Sequence, residues 1–497
     1  MTYSRGKIFV TVSAILVAAV TALGFMWYPH LADDLNSAVC VKSTYLHGAP
    51  IDMRAYWDNL SAILYHNHFR LPNLLMPFVI LLPEWLVAGA SGAVLVVMML
   101  LSASVGGFRE RPLVFALFVL GMAVVYPWFD QLYLTSFQLP YIYGPTLSVW
   151  MLWLLVRGRG SVTGMAVLGC VIGLWHEIWG VTLLLTCAVG WIRYRDMRTR
   201  VLAAAIISLA ISLGVLTVLF TFNVERAELA AFGLRSVSIL PFMLPMSAAV
   251  IIGIIRWRRC DRTQFMLLVA TCVSLLACMY FLLAPRITAL GNLCALTFLC
   301  SIIPVRGIAT RHSVLATVII AVVCVHYMAV DAVCLRTRRD FRSIVDAYEA
   351  NPDSVVFSHI DFPEDQPWYL LFKPAYSGWS AYKYCAATIN SIYSDGVRPI
   401  EYLPVEMAGF TPAGAQQIGD SIYAYRGHIV GTPSTPEWLV TDYGMGPRLR
   451  LYIYTDFVGD DGRRWRWMHP GQIWLDYRNW HHPLSAVAAS RPEGFRY

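Results

Sequence analysis

A few short polar groupings interrupt an otherwise apolar chain, and their residue types suit the handling of a charged substrate that gives up a proton. Asp33 and Asp34 are adjacent and follow closely on the apolar run 8–28. Two neighbouring carboxylates at a membrane surface are costly to keep ionised unless something uses them. A carboxylate there can take the proton of an acceptor hydroxyl or amine. Alternatively the pair can hold a hard divalent cation, Mg or Mn, through oxygen ligands. The bland reading is that one of them caps a short external helix, since Asp caps well; the second is then left without a reason.

His176 and Glu177 stand alone in the apolar run 171–180. An imidazole and a carboxylate at that depth face a cavity and act there, or else form the polar tip of a tight helical hairpin. Arg70, in His66-Asn67-His68-Phe69-Arg70-Leu71-Pro72-Asn73, and Arg286, after Pro285, offer guanidinium groups that match phosphate oxygens two at a time. Both can equally anchor to lipid headgroups. Thr288 and Asn292 help Arg286 or simply pack. Tyr143, in Tyr141-Ile142-Tyr143-Gly144-Pro145, belongs to an interfacial aromatic belt or stacks on a sugar ring; Trp57, Trp175 and Trp179 share that ambiguity.

These residues need a frame, and composition supplies one. The 497 residues are 57% hydrophobic and 14% charged, which indicates a polytopic α-helical membrane protein. Span 8–28 is too long, and lacks the small-residue cleavage site, for a removed signal peptide. Further apolar segments lie at roughly 85–105, 113–127, 142–156, 162–175, 178–192, 201–222, 239–255, 263–284, 288–304 and 313–331, about eleven transmembrane helices in all, several of them short. With the N-terminus inside, sixteen basic residues fall in the inner segments and six in the outer loops. That is the positive-inside pattern, so the net charge of +7 reports topology, not nucleic-acid binding. Residues 29–84 form the longest outer loop, with a surface-lying amphipathic helix expected near Leu60, Ile63 and Leu64. Most cysteines sit in apolar segments as small packing residues. Cys40 and Cys385 show no metal or redox spacing, and a bridge between them is left open.

After residue 331 the long apolar runs stop. Residues 332–497 carry sixteen basic and eighteen acidic residues and strand-like runs such as Val355-Val356-Phe357 and Leu451-Tyr452-Ile453-Tyr454. Gly459-Asp460-Asp461-Gly462 reads as a hairpin turn. The expectation is a transmembrane module over 1–331 and a small extracytoplasmic α/β domain over 332–497.

The Asp33-Asp34 pair after the first span, Arg70-Leu71-Pro72-Asn73 closing the first external loop, and His176-Glu177 between short spans together resemble the GT-C superfamily of membrane glycosyltransferases, more closely the bacterial DUF6056 group. The resemblance covers roughly 8–331; Pro72 falls where the family motif starts a helix. It implies a GT-C-like module and a periplasmic domain in the bacterial cytoplasmic membrane. The implied activity is inverting transfer of a sugar from a polyprenyl-phosphate donor to a glycan, lipid or protein acceptor. Asp33, Asp34 and Glu177 would be catalytic. Arg70, Asn73, His66, His176, Arg286 and Tyr143 would bind donor or acceptor, and membrane lipids would be the remaining partner. A flippase or transporter of lipid-linked saccharides is the alternative, disfavoured by the absence of an internal repeat. A polymerase or ligase acting on them would share the outer-face geometry.

Overall fold

The computed structural model describes residues 5–30, 33–57, 60, 70–128, 132–197, 199–221, 240–281, 285–304 and 310–350, together with seven strands beyond them. The Asp33 side chain, all of His66 and the expected surface helix beyond Leu60 lie outside the described residues, as does Cys385; Cys40 is a buried free thiol.

The apolar segments fold as helices. These are α1 (Arg5–Trp27), α2 (Asp33–Val39), α3 (Lys42–His47), α4 (Leu71–Val79), α5 (Glu84–Val105), α6 (Pro112–Val125), α7 (Thr135–Arg157), α8 (Val162–Trp175), α9 (Glu177–Arg193), α10 (Arg200–Thr221), α11 (Leu240–Arg256), α12 (Arg262–Phe281), α13 (Ala289–Ser301) and α14 (Thr310–Ala350). Six of them, α1, α5, α7, α10, α12 and α14, are long and apolar enough to cross a membrane. Many of their large apolar side chains are exposed, Trp85, Ile211, Leu276 and Val322 among them. Apolar surface of that extent in contact with water is unfavourable, whereas lipid accepts it.

Small residues set the helix packing. α8 lies against α10, where Gly169 and Gly173 leave no room for a Cβ against Ser208 and Ser212. The Ser212 hydroxyl donates back to the Ser208 carbonyl at 2.8 Å, so no donor is stranded in an apolar interface. α1 packs on α5 and α14. A Cβ on Gly24 would meet Asp331 Oδ1 at 2.5 Å and Tyr133 Cε1 at 2.7 Å. Asp331 is buried, and neither of its oxygens has a hydrogen-bond partner among the described residues.

α14 carries on past residue 331, where the apolar run ends, to Ala350. Its buried positions Val330, Cys334, Thr337, Phe341 and Val345 keep a helical period throughout. Beyond it come β1 (Ser354–Ser358), β2 (Ile400–Tyr402), β3 (Gln416–Gly419), β4 (Ile422–Val430), β5 (Glu437–Asp442), β6 (Pro447–Gly459) and β7 (Arg464–Ile473). They form one sheet in the order β2-β1-β4-β6-β5, with β3 added to β4 and β7 to β6. β1 and β2 are parallel and the other pairs antiparallel. Val458 pairs with Arg464, so β6 and β7 flank the expected turn, whose residues 460–463 lie outside the described residues.

Candidate functional site

The site is built around the first two turns of α7. A helix start leaves backbone N–H groups without intrahelical partners, and Leu134, the residue before α7, supplies no side-chain cap. Asp34 does so from a distant part of the chain. Its Oδ2 accepts from Thr135 N–H at 3.0 Å and its Oδ1 from Ser136 N–H at 2.7 Å. The carboxylate thus complements the positive end of α7. Burial pushes the Asp34 carboxyl above its ordinary value, against the smaller opposing pull of His30 and of the Ser136 and Thr135 bonds. Asp34 does serve as a cap, but for α7, not for a helix of its own loop. Between this point and the start of α5 is a cavity of about 10 Å³, room for about one water, lined in part by His30, Glu84, Thr135 and Gln138.

Immediately afterwards α7 widens into a π-helical turn, Leu139–Tyr143. Pro145 has no N–H to give to the Tyr141 carbonyl, and the Tyr126 hydroxyl donates to that carbonyl instead. The Leu139 and Pro140 carbonyls accept from Trp175 Nε1 at 2.7 Å and Trp179 Nε1 at 3.0 Å. Both indoles press on Gly144, where a Cβ would come within 2.8–2.9 Å of their rings, so no larger residue fits. Trp175 and Trp179 are buried and hold α8 and α9 against this turn. They are not a surface belt.

The π turn aims Tyr141 and Tyr143 in different directions. Tyr143 reaches α5, its hydroxyl 3.4 Å from Ser91 Oγ, which in turn donates to Gln138 at 2.7 Å. Tyr141 faces the functional cluster. Its hydroxyl is 3.4 Å from His176 Nε2, and its ring stacks on Phe137. The Arg286 guanidinium lies 4.6 Å from the Phe137 ring centre and 5.9 Å from that of Tyr141, a cation–π arrangement.

His176 caps α9, its Nδ1 accepting from Ile178 N–H at 3.3 Å. Burial and then Arg70 lower its pKa to about 3, Glu177 opposing them and Arg286 adding a smaller push in the same direction. The ring is therefore neutral, with its proton on Nε2 toward Tyr141. The 3.6 Å approach of Nδ1 to Glu177 is not an ion pair, because that nitrogen is already an acceptor. Glu177, the first residue of α9, pairs instead with Arg70: Nε donates to Oε2 at 2.8 Å and a terminal nitrogen donates to Oε1. Arg70 itself is the residue from which α4 starts, with Pro72 accommodated at the second helical position. Asn73 sits in that first turn, its N–H on the Arg70 carbonyl at 3.0 Å.

Of the residues singled out in the sequence, Arg70, His176, Glu177 and Arg286 converge around Tyr141, and Asp34 closes the same helix end. Tyr143 faces away from them, into the Ser91–Gln138 network. Asn292 and Thr288 pack: Asn292 Nδ2 donates to the Val125 carbonyl and to Thr288 Oγ1, both at 3.0 Å. Tyr141 and Phe137 are the site residues that sequence reasoning passed over; the two prolines around Tyr141 were the available signal. Of the two carboxylates expected to hold a divalent cation, the Asp33 side chain lies outside the described residues. Both Asp34 oxygens are engaged by backbone donors, and among the described residues no three His, Cys, Asp or Glu side chains gather. Comparison of the chain with protein-family models, curated proteins and solved structures finds no match.

Proposed function

We propose that this protein is a GT-C-like glycosyltransferase of the bacterial cytoplasmic membrane, with about eleven spans, the N-terminus inside and a periplasmic C-terminal domain. It transfers a sugar from a polyprenyl-phosphate donor to a glycan, lipid or protein acceptor at the outer face. The observation that supports this reading is the meeting of Arg70, His176, Glu177 and Arg286, from three distant parts of the chain, around Tyr141 of α7, the helix whose start Asp34 caps. In the reaction, an acceptor hydroxyl loses its proton to the base as its oxygen bonds to the anomeric carbon. The bond from that carbon to the phosphate oxygen breaks, and the lipid phosphate leaves with the electron pair. Asp34, its pKa raised by burial, has the proton affinity a general base needs. The guanidinium groups stabilise charge building on the phosphate, and neutral His176 orients Tyr141.

The test uses the full chain in vesicles with a polyprenyl-phosphate sugar, following release of polyprenyl phosphate. Asp34→Asn is expected to lower turnover by about 10²–10⁴-fold while the protein still folds. Arg286→Ala is expected to raise the KM for the donor. Full turnover in Asp34→Asn removes it as the base; passage of intact donor across the bilayer without cleavage favours a transporter instead.

A further inference from the structure

Arg70 and Glu177 are held together in a way that a phosphorylated substrate cannot share. Arg70 presents two adjacent N–H donors side-on, and both carboxylate oxygens of Glu177 take them. A phosphoryl group fits the same fork with two of its oxygens. The partners differ in freedom: the Arg70 side chain is 14% exposed and the Glu177 side chain 36%. Arg70 precedes the first turn of α4 and Glu177 opens α9, where Glu177 is the more solvent-facing of the two. The charges around the fork are unequal too. Arg286 lies close enough to repel Arg70, and both guanidiniums act on the neutral His176 imidazole. The phosphate monoester that leaves carries more charge than a carboxylate, and the singly charged phosphodiester of the donor still offers the fork two oxygens in place of those of Glu177.

We propose that Glu177 occupies the anion position on Arg70 which a phosphoryl group takes when substrate binds, so that carboxylate and phosphoryl exchange on one guanidinium. This rests on the reading that the site handles a phosphorylated substrate. Glu177 then sets the affinity and the selectivity of the site: a ligand carrying only a carboxylate cannot displace it, whereas a phosphoryl group can. Once displaced, Glu177 faces water at the mouth of the site.

The experiment measures binding, which needs no turnover, by ligand-dependent thermal shift of the full chain in detergent micelles. Two probes are used: inorganic pyrophosphate, and polyprenyl phosphate mixed into the micelles. Glu177→Gln keeps the shape and removes the competing charge, and is expected to bind about tenfold tighter than the parent. Glu177→Asp, with its carboxylate drawn back from Arg70, is expected to fall between the two, and it carries the test alone if Glu177→Gln does not fold. Adding Arg70→Gln to Glu177→Gln should abolish the gain. Tightening with both probes supports exchange by any phosphoryl group; tightening with the lipid alone supports exchange by a lipid-borne one. Binding that is unchanged or weaker in the Glu177 variants overturns the exchange while leaving a phosphate site in place. No binding of either probe by the parent or any variant overturns the phosphate reading, and the exchange with it.

Discussion

At the end of the bundle where α1 begins, charged residues pair in water. Lys7 meets Glu110 at 2.8 Å with side chains 39% and 57% exposed, and Arg262 meets Asp196 at 2.6 Å. Arginines there also donate to carbonyls near helix ends, Arg157 to Ser104 at 3.2 Å and Arg262 to Val156 at 2.9 Å. At the end where α1 finishes and α7 starts, partly exposed pairs such as Arg338–Glu84 at 2.6 Å stand beside charged and polar groups that are out of water. Asp34 and His176 are each 1% exposed, and their partners come from distant stretches of chain. The richly basic end is thus the plainer one. Lysines and arginines there form exposed pairs, whereas the opposite end also holds buried groups that must each be met by a specific donor or acceptor.

Four measurements can break or sharpen this contrast. The largest effect concerns His176. Its folded pKa of about 3 lies below the ordinary 6.5, so the unfolded chain takes up a proton first as pH falls. Its contribution to stability is complete above about pH 6.5 and is lost progressively toward pH 3, amounting to about 3 kcal/mol by pH 4.5. Unfolding of the wild type and of His176→Asn, whose side chain can still cap α9, should diverge on that acid limb; parallel curves would refute the burial argument. Next, Arg70→Ala takes the two-pronged guanidinium partner from Glu177. The expected loss is about 2 kcal/mol, less than for a fully buried pair because Glu177 is partly solvated. Asp331→Asn should raise the unfolding midpoint by about 1 kcal/mol equivalent, because a carboxyl without a hydrogen bond in an apolar interior is costly; a clear loss would mean that the acid has a use. Lys7→Ala, at the watery end, should change stability by under about 0.5 kcal/mol and leave turnover alone. A larger loss there would dissolve the distinction between the ends.

The helices were readable in the sequence because lipid-compatible runs are long and unambiguous. Their ends were less so. α14 outlasts its apolar stretch, because Thr337-Arg338-Arg339-Asp340-Phe341 changes the hydropathy but preserves the helical spacing of buried positions. The site was half readable. Arg70, His176, Glu177, Arg286 and Asp34 stood out because polar groups are rare in such a chain. What pairs with what did not, since Arg70 finds Glu177, and Asp34 finds Thr135 and Ser136, over about a hundred residues. Composition cannot reveal a π turn, and that turn decides which ring, Tyr141 or Tyr143, faces Arg286.

The π turn can also be viewed as one residue too many. An ordinary helix advances about 100° per residue, so deleting a single residue between Leu139 and Tyr143 would rephase the front of α7 by about that angle against its rear. Thr135 and Ser136 would rotate off Asp34, and Phe137 off Arg286, while Ser148 and Val149 stayed in register with the bundle. A one-codon deletion would thus turn the residues of the candidate site away from their partners while the rear of α7 kept its packing.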